Sequence, residues 1–505
     1  MRHFLLASTC CFALAGVASA ETSITDKRTS AVRTSTVKAG AADDIKITST
    51  GSVELTTGGG AVTLDTNNKV TNEGTIAVSN ANNAAGILAL AGTSGGIVSS
   101  GKITVDETYA ATDTDNDGDI DGPFAVGSDR YGIITAGAYS GDVTVTSAGT
   151  ISVEGNDSYG IKLTGPLTGA LRHDGTTTVL GDRAIGIETG NVSGNVRLAG
   201  SVTAQGVNAI GAAFNGNIGG TLTIQGTIIG TGYRYATPPS DVSKLDADDL
   251  LQGGPGVVIG GNVAGGIILA VPPKDASSTD NDEDKDGIED SKEGSAIVRS
   301  YGAAPAMRIA SATQDITIGA VPGTGSGYGL IIDGGIAGNG LYSGIASRGL
   351  EVGGMGRSVD IVGGIGIAGT VSATANGASA TALRLSDGAS TPVIQVGSTG
   401  KIEASGGNAI GNIATGILVS DGAVLPGIRN AGSIKATAGG ENGTAAAILD
   451  LSGTVSLVEN SGAISATGAK ADSGRNVAID ISENTTGAII RQTAVAAGVT
   501  APSIT

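Results

Sequence analysis

The 505-residue sequence has no tryptophan, only four phenylalanines and nine tyrosines, and just two cysteines, Cys10 and Cys11. Aromatic side chains bury roughly 150–250 Å² each and dominate conventional globular cores, so a core of that kind is excluded. Both cysteines lie in the apolar stretch 4–17, which follows Arg2 and His3 and precedes the small-residue site Ala18-Ser19-Ala20. This pattern predicts a secretory signal peptide over residues 1–20, its apolar run being shorter than the roughly 20 residues of a membrane span. Cleavage before Glu21 leaves no cysteine, which excludes a disulfide framework, a thiol nucleophile and a Cys-ligated metal. Charged residues are also scarce, at 15%, and a formal net charge of −18 makes nucleic acid and anionic membranes poor partners. No other window is apolar enough for a membrane helix, so no membrane-spanning segment is expected in the mature chain.

What is present is glycine, at 85 residues, in a chain that is 40% hydrophobic with only 12 prolines. Such hydrophobicity excludes disorder, and so few prolines exclude collagen. Glycine costs about 1 kcal/mol per residue inside a helix, so the composition points to an all-β, turn-rich fold.

Self-comparison finds a repeat. A phrase of Gly, small or polar residue, Ile/Val, polar residue, Val/Ala occurs as GTIAV from Gly74, GKITV from Gly101, GTISV from Gly149, a degenerate GTTTV from Gly175, GSVTA from Gly200 and GTIIG from Gly226. It returns as GTVSA from Gly369, GKIEA from Gly400, GSIKA from Gly432 and GAISA from Gly462, at spacings of 31, 32 and 30. A second phrase trails in phase, as YGII at Gly132, YGIK at Gly160 and IGIE at Gly186, and later as GILV at Gly416. Each unit thus holds two or three short strands, and a unit this small buries its apolar side only by stacking on its neighbours. The expectation is a single-chain parallel β-helix, right-handed by the rule for parallel crossovers, with on the order of 14 coils spanning about 70 Å. A β-propeller, the structural alternative, needs longer four-stranded repeats. The signal peptide is followed, on this reading, by an N-terminal cap region over 21–50 and the β-helix over 51–505.

Three insertions interrupt the period, near 107–127, 233–254 and 272–294. The first contains DTDNDGDID, placing Asp113, Asp115, Asp117, Asp119 and Asp121 around Gly118. The last contains TDNDEDKDGIEDSKE, with Asp282, Asp284, Asp286, Asp290 and Glu293 around Gly287. Alternate carboxylates in a loop that turns back at a glycine can converge on one hard cation, and calcium takes 6–8 oxygens. Glu293 occupies the twelfth loop position, where an EF-hand has its bidentate carboxylate, whereas the first loop has Phe124 there. A solvated acidic loop is the alternative. Over about ten residues each, the two loops resemble the acidic calcium repeats of thrombospondin type 3 and dockerin modules, which implies structural calcium. In the middle insertion Ser240 is expected to cap a short helix ending at Gly253, with Asp241 in its first turn, as a small lid.

Signs of catalysis are thin. The one histidine beyond the leader, His173, has no G-x-S-x-G elbow near it and reads as a satisfied strand or turn residue. GIGIAG from Gly364 runs into a strand-like segment, and the P-loop letters from Gly96 end in Ile103 where Ser or Thr is required. The Asp-Asp pairs, Asp43-Asp44 and Asp248-Asp249, lie outside the repeat strands, and the tyrosines are scattered. The reading is non-enzymatic, with a polysaccharide-acting β-helix enzyme as a rival.

The leader, the GTISV and YGIKL phrases and the closing segment AIDISENTTGAIIRQ together resemble the passenger domains of bacterial autotransporters, notably those of alphaproteobacteria. The resemblance implies an exported cell-surface, outer-membrane-associated or secreted structural and adhesion rod, with cell-surface glycans or proteins as partners. Self-association into a surface layer or filament is the other reading. That family also has a C-terminal membrane barrel, whereas this sequence stops at Thr505 without alternating barrel strands or an aromatic girdle. The resemblance therefore implies a fragment of a longer protein, or a rod held in some other way.

Overall fold

The computed structural model describes residues 21–493 except Asp117, Asp119 and Ser278, so the expected signal peptide and residues 494–505 lie outside it. Its strands form three long parallel sheets of 15, 14 and 14 strands, in which each strand pairs with its equivalents one coil away. This is a parallel β-helix.

The repeat phrases map onto the sheets in register. GTISV supplies Thr150–Glu154 of the second sheet, and Lys102, Thr150 and Thr176 are successive partners. YGIKL supplies Tyr159–Leu163 of the third sheet, with Ile133, Ile161 and Ile187 aligned. The first sheet uses strands of three or four residues just before each glycine, such as Val143–Val145, Leu171–His173 and Val196–Leu198. Their shortness hid them from the sequence pattern. Residues 21–50, expected as a cap region, already supply Glu21–Ile24, Lys27–Arg28 and Val32–Arg33, the outermost strands of all three sheets. Asp44 opens the strand Asp44–Ile47, so this Asp-Asp pair, unlike the expectation, reaches into a coil.

Alternation turns every second residue inward, and the inward residues of successive coils stack in columns. Ile103, Ile151, Val202 and Ile228 form one such column, and each is essentially inaccessible. Full burial of each Val or Ile stabilises by about 1.5–3 kcal/mol, which is how small aliphatics replace aromatic bulk. The degenerate phrase at Gly175 has a local reason: Thr177 sits in this column and its Oγ1 lies 2.8 Å from His173 Nε2. His173 is thus a core residue, and burial holds its pKa down to about 4. A short fourth ladder runs along one corner through Leu167, Val192, Ile218, Val263 and Ile318.

The glycine that opens each second-sheet strand is required by packing between coils. A Cβ on Gly200 would lie 1.8 Å from the Gly175 carbonyl oxygen, and one on Gly226 would lie 1.8 Å from that of Gly200. Between Gly226 and Gly369, where no phrase was legible, Ile297–Tyr301 and Gly335–Ser343 continue the sheet, with Ala296 replacing the glycine in one coil. GIGIAG is an ordinary coil strand, Ile365–Ile367.

The middle insertion departs from expectation. Its helix is a single 3-10 turn, Val242–Lys244, capped by Asp241 rather than Ser240 and ending at Leu245 rather than Gly253. Asp246 and Asp249 accept hydrogen bonds from nearby backbone N–H groups, at 3.0 and 3.2 Å. Short acidic side chains that bind local backbone in this way compete with helix propagation.

Candidate metal centre

The first insertion leaves the rod at Glu107 and returns at Arg130. Arg130 is buried, pairs with Glu107 at 2.9 Å, and also donates to the Ala81 and Glu154 carbonyls at 3.0 and 2.6 Å. Glu107 in turn accepts the Val126 and Gly127 N–H groups, which closes the base of the loop.

Both acidic loops fold the same way beyond their bases. Positive φ occurs at the fourth and sixth positions of each, at Asn116 (65°) and Gly118 (108°), and at Lys285 (57°) and Gly287 (89°). In each the leading carboxylate accepts the N–H of the sixth residue: Gly118 donates to Asp113 at 3.1 Å, and Gly287 to Asp282 at 3.0 Å. Such a turn swings the alternate carboxylates to one side. In the first loop Asp113, Asp115 and Asp121 offer oxygens within 4.8 Å of one another. Asp117 and Asp119 lie outside the described residues. In the second loop two groups form, Asp282 with Asp284 and Asp290, and Asp284 with Asp286 and Glu293.

The surroundings of the loops differ. The first reaches over to the middle insertion, where Asp248 accepts the Gly122 N–H at 2.8 Å and Arg234 donates to the Gly122 carbonyl. Arg234 also covers the Phe124 ring at 4.4 Å. Asp121 is thereby brought near Asp246 and Asp248, a third acidic group spanning two insertions. The second loop lies on the outer face of the first sheet. Arg172 donates to the Asp286 carbonyl at 2.8 Å, and Arg197 reaches Asp286, Glu293 at 3.1 Å and Asp174 at 3.3 Å.

The ninth residue shows the contrast best. Asp121 accepts from the Thr114 hydroxyl at 2.7 Å and from its N–H, which pulls its pKa below the usual carboxyl value. Asp290 faces the Glu283 carboxylate and is pushed up to about 6. Glu293, its side chain 1% exposed, is pushed up to about 7 by burial, with the neighbouring Asp286 carboxylate adding to it. Asp290 Oδ2 and Glu293 Oε2 are buried and receive no hydrogen bond, nor do the neighbouring Glu283 Oε2 and Asp286 Oδ2, the last of which lies against Arg197. Buried carboxylate oxygens without a donor are costly unless a cation completes them. Five carboxylates, all hard oxygen donors, in two groups that share Asp284 and with three such oxygens among them, match the needs of a hard divalent cation. In the first loop Phe124 offers no twelfth-position carboxylate, and Asp121 already has its donors.

Two further members of these acidic groups, Asp246 and Asp248, and the Glu283 carboxylate facing Asp290 were not legible from the sequence. Asp246 and Asp248 belong to the segment expected as a small lid, and Glu283 is not among the alternate positions of the acidic pattern. Contact between insertions more than a hundred residues apart leaves no local signal.

The described residues contain no helix long and apolar enough to cross a membrane. The chain matches no protein-family model, no curated protein and no solved structure.

Proposed function

We propose that this chain is an exported rod, displayed at the cell surface or secreted, with a structural and adhesive role like that of the autotransporter passengers it resembles. The long coil stack supplies the reach and the contact surface, and the insertions supply its protrusions. Calcium is the cation proposed for the second loop, held by Asp282, Asp284, Asp286, Asp290 and Glu293. The observation that carries this assignment is the pair of buried, donor-free oxygens on Asp290 and Glu293. Calcium supplies there the positive charge that lets all five carboxylates ionise together, which orders the loop against Arg172 and Arg197. The role is structural, with no catalytic step.

Two measurements test the reading. Surface protease accessibility in the producing cell, with the mass of the native product, tests export and display; a product confined inside the cell overturns it. Binding of the purified chain to cells, with and without chelator, tests adhesion. Rods that bind no cell or glycan yet polymerise on adding calcium establish the filament reading instead.

A further inference from the structure

Beyond the second insertion the first sheet carries a groove of about 280 Å³ on its outer face. Its floor crosses three successive coils, where Ile331, Gly366 and Gln395 are register partners. The loop 321–328 borders it, bringing Thr324, Ser326 and Tyr328, and Asp333 lines it too. Tyr328 lies close against the strand beneath. A Cβ on Gly366 would come within 2.6 Å of its ring, and one on Gly364 within 3.2 Å, so two glycines make the room that holds this aromatic in place.

Among the described residues, the Asp333 carboxylate has no hydrogen-bond or ion partner. Partial burial alone raises its pKa above the usual carboxyl value. Leaving a carboxylate half desolvated and unpaired is unfavourable unless a ligand brings donors to it. The Gln395 amide both donates and accepts, and the Thr324 and Ser326 hydroxyls, bonded to each other at 2.9 Å and to the loop backbone, keep part of their capacity. An aromatic ring and an aliphatic floor, with one acceptor-only group and several two-way groups, complement a ring that has C–H faces and several hydroxyls. A uronate or sialate would bring a second anion against Asp333.

We propose that this groove is a binding subsite for one pyranose ring of a neutral saccharide, with Asp333 and Gln395 hydrogen-bonding its hydroxyls and Tyr328 contacting a C–H face. The proposal deepens the adhesive reading above and names its ligand class, and it rests on that reading only for its biological use.

Saturation-transfer NMR on the purified chain tests it, with the methyl glycosides of glucose, galactose, mannose and N-acetylglucosamine, and with choline as a cationic probe. A ligand of about a dozen heavy atoms binds a site like this in the millimolar range. The expected result is transfer to at least one neutral glycoside, weakened at least tenfold in Asp333→Asn and in Tyr328→Ala but retained within about threefold in Tyr328→Phe. Thermal transitions matching the wild type show that the variants are folded. The proposal is overturned if no neutral glycoside receives saturation, if folded Tyr328→Ala and Asp333→Asn bind as well as wild type, or if choline alone responds. Cell binding by the Tyr328→Ala/Asp333→Asn double variant separates the two readings. Undiminished cell binding removes the groove from adhesion and leaves the adhesive rod standing, whereas glycoside binding by a wild-type chain that binds no cell keeps the subsite and sinks the adhesive reading.

Discussion

The two acidic loops share their D-x-D-x-D-G pattern and their backbone turn, yet they place the ninth carboxylate in opposite electrostatic settings. Asp121 is satisfied by Thr114, which stands at the second loop position, and its pKa falls. Asp290 meets Glu283 at the equivalent second position, and its pKa rises to about 6. A position that cation motifs leave unspecified therefore decides whether the loop is already content or strained without an ion. The twelfth residue compounds the difference. Phe124 closes the first loop with an aromatic under Arg234, whereas Glu293 closes the second with a buried anion beside Arg197.

The largest effect is expected at the base of the first loop. Arg130→Ala strands the buried Glu107 carboxylate and should cost about 3–5 kcal/mol, more than Arg197→Ala at the partly exposed foot of the second loop. Hydrogen exchange in the flanking coils reads this, because solenoids open unit by unit. Equal protection losses in the two variants would show that the bases do not differ.

Calcium comes next. At 100 times its dissociation constant it should stabilise the second loop by about 2.7 kcal/mol. Glu293→Gln should abolish this gain, and Phe124→Ala should leave it intact. Isothermal titration together with thermal melts checks both; a calcium response that survives Glu293→Gln would relocate the site.

A smaller contrast sets coil against loop. Gly200→Ala drives a methyl into the Gly175 carbonyl and should cost about 1–3 kcal/mol. Gly287→Ala meets nothing within 4 Å and carries only the strain of its positive φ, about 1 kcal/mol. Urea midpoints of the two variants should rank accordingly.

The finest test is pH. Asp290 and Glu293 have folded pKa values raised above the ordinary carboxyl range, so the calcium-free second loop is most stable below that range and loses stability as pH rises through about 6 and 7. The first loop has the opposite sign at Asp121, whose contribution is present at neutral pH and lost as pH falls through its lowered value. Calcium binding at pH 6 should thus release protons from the second loop, measurable by titration in buffers of different ionisation enthalpy. Glu283→Thr, which gives Asp290 the partner that Asp121 has, should reduce that release. Unchanged proton release would remove Glu283 from the account.

Much of the fold was legible because it is local and repeated. Gly200, Val202 and Ala204 recur with coil spacing, and stacked parallel strands are the way so short a unit can bury its Val and Ile. The reading failed where repetition failed: at Ala296, where the opening glycine is lost, and in the middle insertion, where Asp246 and Asp249 bind backbone and stop the expected helix at one turn. Four of the nine tyrosines that looked scattered are paired in space, Tyr131 stacked on Tyr159 at 5.6 Å and Tyr233 edge-on to Tyr342 at 4.7 Å.

By itself, then, the sequence determined the all-β class, the coil length, the columns of buried aliphatics and the spacing of the acidic side chains, because each depends on residues a few positions or one regular period apart. Only the tertiary structure decided the rest. It set Arg197 beneath Glu293, joined Asp121 to Asp246 and Asp248, gathered Tyr328, Asp333 and Gln395 around one groove, and made the opening glycines a matter of contact between coils. Each of these depends on how far the chain winds between two residues, a distance that irregular insertions change and no local pattern records.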